Sequence, residues 1–262
     1  LTWSVGGTWL GEDGWNIRSM VSTAFRSPNI DDLAKVRVNN DEITLPNLDL
    51  TPEKSINAEL TVAKQLARRL NVSATGFYTK LSDAIIRKSG LGPNGQSTWI
   101  TQGDTLNIVT NQNAENAIIY GLSINASYQL SSALSAKGSL NYTKGRELLD
   151  NGETAPFAHI PPVYGQLGLV YEYQSWKMRM SYRFNGMKDI SDFGGTVDNP
   201  DLATTIGSLA WSTINLYADY NFSEQVSLSI ALENILDKHY RPFGSGVSAP
   251  GRNLVVSVRG KF

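Results

Sequence analysis

The chain has 262 residues, 41% of them hydrophobic, with 23 Lys and Arg against 24 Asp and Glu for a formal net charge of -1. That balance, with no basic block to track a phosphate backbone, argues against nucleic acid as a partner. Cysteine is absent, which removes disulfides, thiolate metal sites and cysteine nucleophiles; no apolar run approaches the roughly 18 residues of a transmembrane helix, so any membrane span must be built from strands.

The chain opens on Leu1-Thr2-Trp3-Ser4, with neither an initiator Met nor a signal-like segment, and reads as a piece of something longer. From there the hydrophobic period is two residues almost throughout, the spacing of a strand with one greasy and one wet face. Residues 1–10, 15–27, 56–66 and 70–87 carry it loosely, and 118–130 and 134–142 more cleanly. After Pro162, Leu167, Leu169, Tyr171 and Tyr173 alternate with Gln166, Gly168, Glu172 and Gln174. In the following strand Met178, Met180, Tyr182 and Phe184 alternate with Lys177, Arg179, Ser181 and Arg183. Ile214, Leu216, Ala218, Tyr220 and Phe222 likewise oppose Thr213, Asn215, Tyr217, Asp219 and Asn221, and 226–232 and 254–262 repeat the design. Roughly eleven strands result.

The connections alternate too. Gly11-Glu12-Asp13-Gly14, Ala67-Arg68-Arg69, Ser131-Ser132-Ala133, Gln174-Ser175-Trp176 and Ser223-Glu224-Gln225 are tight turns, and between them lie long polar stretches at about 28–54, 88–115, 144–162, 186–209 and 237–252. Short turns at one end and long loops at the other mark an outer-membrane barrel. A soluble β-sandwich also alternates, but its strands are usually about 5–6 residues, whereas most strands here reach the roughly 9–11 residues that cross hydrocarbon at a tilt. Tyr128, Tyr171, Tyr173, Trp176, Tyr220 and Phe222 gather beside the short turns as an interfacial girdle requires. A wet lumen also explains mid-strand Arg179, Arg183, Glu172 and Asp219. The fold class is therefore all-β, a transmembrane antiparallel β-barrel or part of one, in a bacterial outer membrane with lipid around it.

Several ordered motifs add a family resemblance. Ala24-Phe25-Arg26-Ser27-Pro28-Asn29-Ile30 resembles the Phe-Arg-Ala-Pro-Asn-Leu motif of TonB-dependent receptors, with Ser27 in place of the usual Ala. Pro46-Asn47-Leu48-Asp49-Leu50-Thr51-Pro52-Glu53-Lys54-Ser55 is similar to the family's Asn-Pro-Asp-Leu-Lys-Pro-Glu-Lys-Ser segment. Glu233-Asn234-Ile235-Leu236-Asp237-Lys238-His239-Tyr240 resembles its Asn-Leu-Phe-Asp-Lys-Xaa-Tyr strand end, Pro250-Gly251-Arg252 its opening of the last strand, and Phe262 its terminal aromatic insertion signal. The run from Asp31 to Val36 looks most like receptors of Bacteroidota.

The resemblance implies a 22-stranded barrel around an N-terminal plug, of which residues 1–262 would be the C-terminal portion, with the plug and N-terminal strands absent. It implies energy-coupled import of a scarce nutrient: a ferric siderophore or other iron chelate, or haem, with cobalamin or another nutrient as the alternative, and TonB-ExbB-ExbD acting through the plug. A passive porin or structural barrel remains the rival reading. About eleven strands leave two open sheet edges, which hydrocarbon does not tolerate; each edge is therefore expected to pair with the N-terminal half-barrel or another chain.

Candidate site residues follow from these positions. His159 and His239 sit in or beside outer loops, where haem receptors place iron ligands, although plain solvent exposure explains them as well. Trp99, Phe157, Phe193 and Phe243 are loop aromatics that would pack on a macrocyclic ligand or on one another. Arg26, Arg179, Arg183, Arg259 and Lys261 project into the lumen on this register, to guide an anionic chelate or to bond the plug. Asp31, Asp32, Asp41 and Glu42 match no defined ion-binding spacing, so neither metal nor cofactor is expected. No nucleophile, base and orienter set is visible, and no enzymatic activity is expected.

Overall fold

A computed structural model describes residues 1–262 apart from Asn40, Arg68, Asp150, Asn151 and Phe262, and apart from the side chains of Ala114, Glu115 and Thr196. The expected terminal signal at Phe262 thus lies outside the described residues, as does the middle of the turn at 67–69.

Eleven strands form the wall: β1 (Ser4–Leu10), β2 (Trp15–Arg26), β3 (Glu53–Leu66), β4 (Leu70–Ser89), β5 (Asp104–Gln129), β6 (Leu134–Leu148), β7 (Tyr164–Tyr173), β8 (Trp176–Asn185), β9 (Trp211–Asn221), β10 (Val226–Glu233) and β11 (Asn253–Gly260). Each is hydrogen-bonded to its neighbour in sequence, antiparallel throughout, so the path is a meander. Its two ends, β1 and β11, do not pair with each other; the sheet is an open part of a barrel.

Register separates the two faces. One cross-strand row runs Asn16, Ala63, Ser73, Asn125, Ser139, Gln166, Arg183, Thr213. The adjacent row, one residue away and on the opposite face, runs Trp15, Lys64, Val72, Ala126, Gly138, Leu167, Tyr182, Ile214. Opposed residues share a face and successive residues alternate, so the polar row lines the concave side and the apolar row faces outward. The one cation in the outer row, Lys64, lays its ammonium 4.3 Å above the Trp15 ring near the short-turn rim, where a long side chain reaches the interface.

Burial settles which kind of β protein this is. The buried apolar residues are Ile43, Ala84, Leu106, Ile108, Val109, Ala117 and Phe193, all in the outer loops or the upper parts of β4 and β5. Along the wall the outward Leu167, Leu216, Val256 and Val258 stay exposed at 58%, 44%, 58% and 71%. Among the described residues no second sheet covers them, as a sandwich would require; a contiguous apolar band of this kind needs lipid against it.

The tight turns fall where the sequence placed them. The long connections hold more structure than their polarity suggested. β4 runs to Ser89 and β5 begins at Asp104, so half of 88–115 is a strand extension rather than a loop. Beyond the hydrocarbon both faces meet water or other loops, and the two-residue alternation fades although the backbone ladder continues. Residues 28–54 contain a helix, α1 (Ile30–Ala34), and a hairpin of Arg37–Asn39 with Glu42–Leu45 whose second arm pairs in parallel with β5.

Candidate functional site

The concave face borders an open cavity of about 1070 Å³ lined by Asn16, Asn71, Asn125, Gln166, Arg179 and Arg183 among others. Arg183 and Arg179 both face it, as the alternation requires. The Arg179 guanidinium lies 3.4 Å from the Asp219 carboxylate and 5.1 Å above the Tyr217 ring. Much of its charge is therefore engaged within the wall. Arg259 takes the same face, opposite Ser227, and Lys261 follows at the same parity with its backbone N–H on the Gln225 carbonyl.

Arg26 stands at the outer rim, and its role is local. Its guanidinium donates to Glu53, directly opposite on β3, and to the Asp32 carboxylate at 2.6 Å. Asp32 also accepts the Asn29 backbone N–H at 2.9 Å, while the Asn29 side chain accepts the Asp32 N–H at 2.9 Å, a capping box that starts α1. Partial burial would raise the Asp32 pKa, but the Asn29 N–H and the Arg26 charge outweigh it and hold the carboxyl below its ordinary value. The second motif closes the same loop: Asn47 donates to the Asn111 carbonyl at 2.8 Å, and the Thr51 N–H donates to Asn113 at 2.8 Å. The two ordered motifs form one clamp at the root of an outer loop.

The third motif is likewise a fastener. Asn234, buried at 4% exposure and with φ 45°, donates to the carbonyls of Lys238 and Pro250 at 2.9 and 3.1 Å and accepts the Lys238 N–H at 2.9 Å. Its own N–H donates to Asn215 on β9 at 2.9 Å. Asp237 accepts the Arg252 N–H at 2.8 Å, and the Arg252 guanidinium returns to the Ile235 carbonyl at 2.8 Å, which sets the entry into β11.

The loop aromatics divide. Trp99 sits on the short strand Thr98–Thr101 and packs against Ile43, Leu106 and Ile108, so it belongs to the loops' own core. Phe157 lies over Gly145, where an added Cβ would come within 2.9 Å of it, beside a cavity of about 210 Å³. Phe193 and Phe243 meet edge to face at 5.2 Å, and the Lys188 ammonium is 4.2 Å above the Phe243 ring. Phe243, Phe193, His239, Trp211 and Tyr240 line a cavity of about 310 Å³ between the last two outer loops, in which the Trp211 and Tyr240 rings meet at a tilt with centroids 4.2 Å apart. This cavity brings together two predicted aromatics, Phe193 and Phe243, and one predicted histidine, His239.

His159 is 72% exposed at its imidazole, with Nδ1 3.4 Å from the Asp198 carboxylate. Asp198, buried to 1%, accepts the His159 backbone N–H at 2.8 Å and that of Gly194 at 2.7 Å. Lys188, also buried, donates to the Ile160 carbonyl; burial pushes its pKa down, partly offset by Asp198 and Asp192. Neither Asp198 nor Lys188 was visible as a site residue in the sequence, because each sits in an irregular polar stretch where burial leaves no pattern. The acidic residues of the first long loop are dispersed: Asp32 serves Arg26, and Glu42 lies 3.0 Å from Arg87. Among the described residues no three potential ligands come together as a metal site.

A family model described as TonB dependent receptor-like, beta-barrel, matches residues 1–235. The haemoglobin-haptoglobin utilization protein B of Neisseria meningitidis serogroup C is 26% identical over 302 residues, covering 100% of this chain and 37% of that protein. The iron-regulated outer membrane virulence protein of Vibrio cholerae serotype O1 is 23% identical over 261 residues, covering 96% and 38%. Among solved structures, the copper transporter OprC superposes with a TM-score of 0.76 at 22% identity, over 99% of this chain and 39% of that one. The FrpB iron transporter of Neisseria meningitidis gives 0.72 at 15%, over 100% and 39%. The chain spans about two fifths of the length of these relatives. An open meander with a wet concave face, a greasy convex face and long clamped loops at one rim is the wall of such a barrel, and the chain belongs to the TonB-dependent receptor family of the bacterial outer membrane.

Proposed function

We propose that this chain supplies lumen wall and outer loops to an energy-coupled transporter that imports a ferric siderophore, another iron chelate or haem. The observation that carries the reading is the pairing of a polar concave face with relatives named for iron and haemoglobin use. A protein of Acinetobacter baumannii named as a probable TonB-dependent siderophore receptor, 22% identical over 283 residues, adds to it. In this reading the remaining strands and a plug lie elsewhere in the protein and close both open edges, β1 and β11, whose unpaired backbone groups hydrocarbon would not accept. TonB, with ExbB and ExbD, acts through that plug. The chain itself binds and guides; it performs no covalent chemistry.

Within this reading the small nutrient meets the outer loops first, around Phe243, His239 and Tyr240, and then the lumenal Arg183 row. Equilibrium binding to the intact receptor of a ferric siderophore, haem and cobalamin tests the substrate class. Submicromolar binding of an iron chelate or haem, with none of cobalamin, is expected; tight binding of cobalamin alone would overturn the iron reading.

A further inference from the structure

The convex face carries a feature that transport does not use. Tyr78 on β4 pairs with Tyr120 on β5, and Tyr142 follows on β6 opposite Leu122, so three tyrosines occupy three consecutive strands. They are exposed at 47%, 41% and 46% and face outward, in register with Ala58 and Leu60. Tyr120 stands eight residues along β5 from Tyr128 of the opposite girdle, about 27 Å along the strand and about 20 Å along the membrane normal. The tyrosines therefore mark the outer edge of the hydrocarbon.

Beside and just above them the same face turns basic. Lys80 pairs with Ile118 and Ile118 with Arg146, and Lys144 pairs with Tyr120. Lys54 lies one strand away, opposite Ser82. Of these four cations, Lys54 is 3.1 Å from Asp83, and Lys144 and Arg146 share one carboxylate, Asp192, at 3.6 and 3.3 Å. Two carboxylates face four cations, and Lys80 has no ion-pair partner among the described residues. Lys80 and Arg146 are two strands apart, roughly 10 Å between backbones, with Ile118 as a floor between them. Long side chains from both sides can close on one phosphate there.

We propose that Lys80, Lys144 and Arg146, beside and above Tyr78, Tyr120 and Tyr142, form a binding site for the phosphate of a phosphorylated glycolipid in the outer leaflet. The tyrosines take the boundary between acyl chain and headgroup, and the cations take the phosphate. The site rests on the outward face and the outer-membrane location, and is independent of what the lumen transports.

The test is binding of bisphosphorylated lipid A in detergent to the intact receptor, comparing wild type with Lys80→Gln, Lys80→Arg and the double variant Lys80→Gln/Arg146→Gln. Native mass spectrometry reads bound lipid, and heat-resistant gel migration confirms that each variant is folded. Affinity should fall about fivefold in the single variant and about 25-fold in the double variant, as removing one or two interfacial charges predicts. Lys80→Arg should bind as wild type does. Dephosphorylated lipid should bind all forms equally weakly, and millimolar inorganic phosphate should not displace the lipid. Unchanged affinity in the folded double variant, equal binding of the dephosphorylated lipid to wild type, or ready displacement by free phosphate would each overturn the proposal.

Discussion

The carboxylate of Asp198 accepts the backbone N–H of His159 at 2.8 Å from a position 39 residues further along the chain. Through it and the Gly194 N–H, one buried anion ties together two outer loops, and His159 is held at φ 60°, a left-handed conformation, with its imidazole turned to solvent. Losing a charged acceptor strands two N–H groups, at about 1–3 kcal/mol each. Asp198→Ala should leave the barrel folded while hydrogen exchange speeds up at 158–160 and 193–195. Unchanged protection there would show that the loops are held by other contacts.

The Arg26, Asp32 and Glu53 clamp has a defined pH response. The folded Asp32 pKa is lowered, so the stability it contributes is complete above the unfolded value, about 3.9, and is lost as pH falls through the lower folded value. A carboxyl-carbon titration of Asp32 should show a midpoint below the free-aspartate value, and Arg26→Gln should move it upward. A wild-type midpoint above that value would contradict the clamp.

The two faces differ in what they accept. Met180 faces outward beside Leu169 and Leu216, whereas Ser181 is next to it on the concave side. Met180→Arg should cost about 2–4 kcal/mol of folding into bilayers if it lies near the midplane, and Ser181→Arg close to nothing. Urea titrations in lipid vesicles would measure both. Because the chain has no cysteine, a Cys at either position also reports accessibility, with a water-soluble thiol reagent reaching 181 and not 180.

Asn234 satisfies backbone groups of Lys238 and Pro250 that no other side chain reaches in the described residues. Asn234→Ala should destabilise by at least about 1–3 kcal/mol, seen as a lower unfolding temperature on heat-modified gels, with the loss centred at the start of β11. Wild-type stability would mean that the strand entry is held by Asp237 and Arg252 alone.

The wall was legible in the sequence because lipid and water enforce opposite chemistries on successive residues. Met178 to Phe184 against Lys177 to Arg183 shows this directly, and parity placed Arg179 and Arg183 correctly on the concave side. What lies beyond the lipid was harder to read. Asp104 to Gln112 is strand, yet its apolar residues Leu106, Ile108 and Val109 do not keep a two-residue period, so nothing in its pattern separates it from a loop. Trp99 was read as a loop aromatic; its packing on Ile43 and Ile108 depends on a parallel pairing between segments more than 50 residues apart. Arg26 has the expected parity, but the motif that flags it turns out to fasten a loop. The buried Asp198 and Lys188 answer to three-dimensional neighbours that no local spacing encodes.

The proposal that this wall belongs to an energised importer and not to a passive pore has a direct test. Uptake of a labelled ferric siderophore or haem by iron-starved cells that make the intact protein, with and without a proton uncoupler, tests it most directly. Saturable uptake that collapses with the uncoupler and in cells lacking TonB is expected of an importer; uptake that persists in both and rises linearly with concentration would instead mean a passive pore.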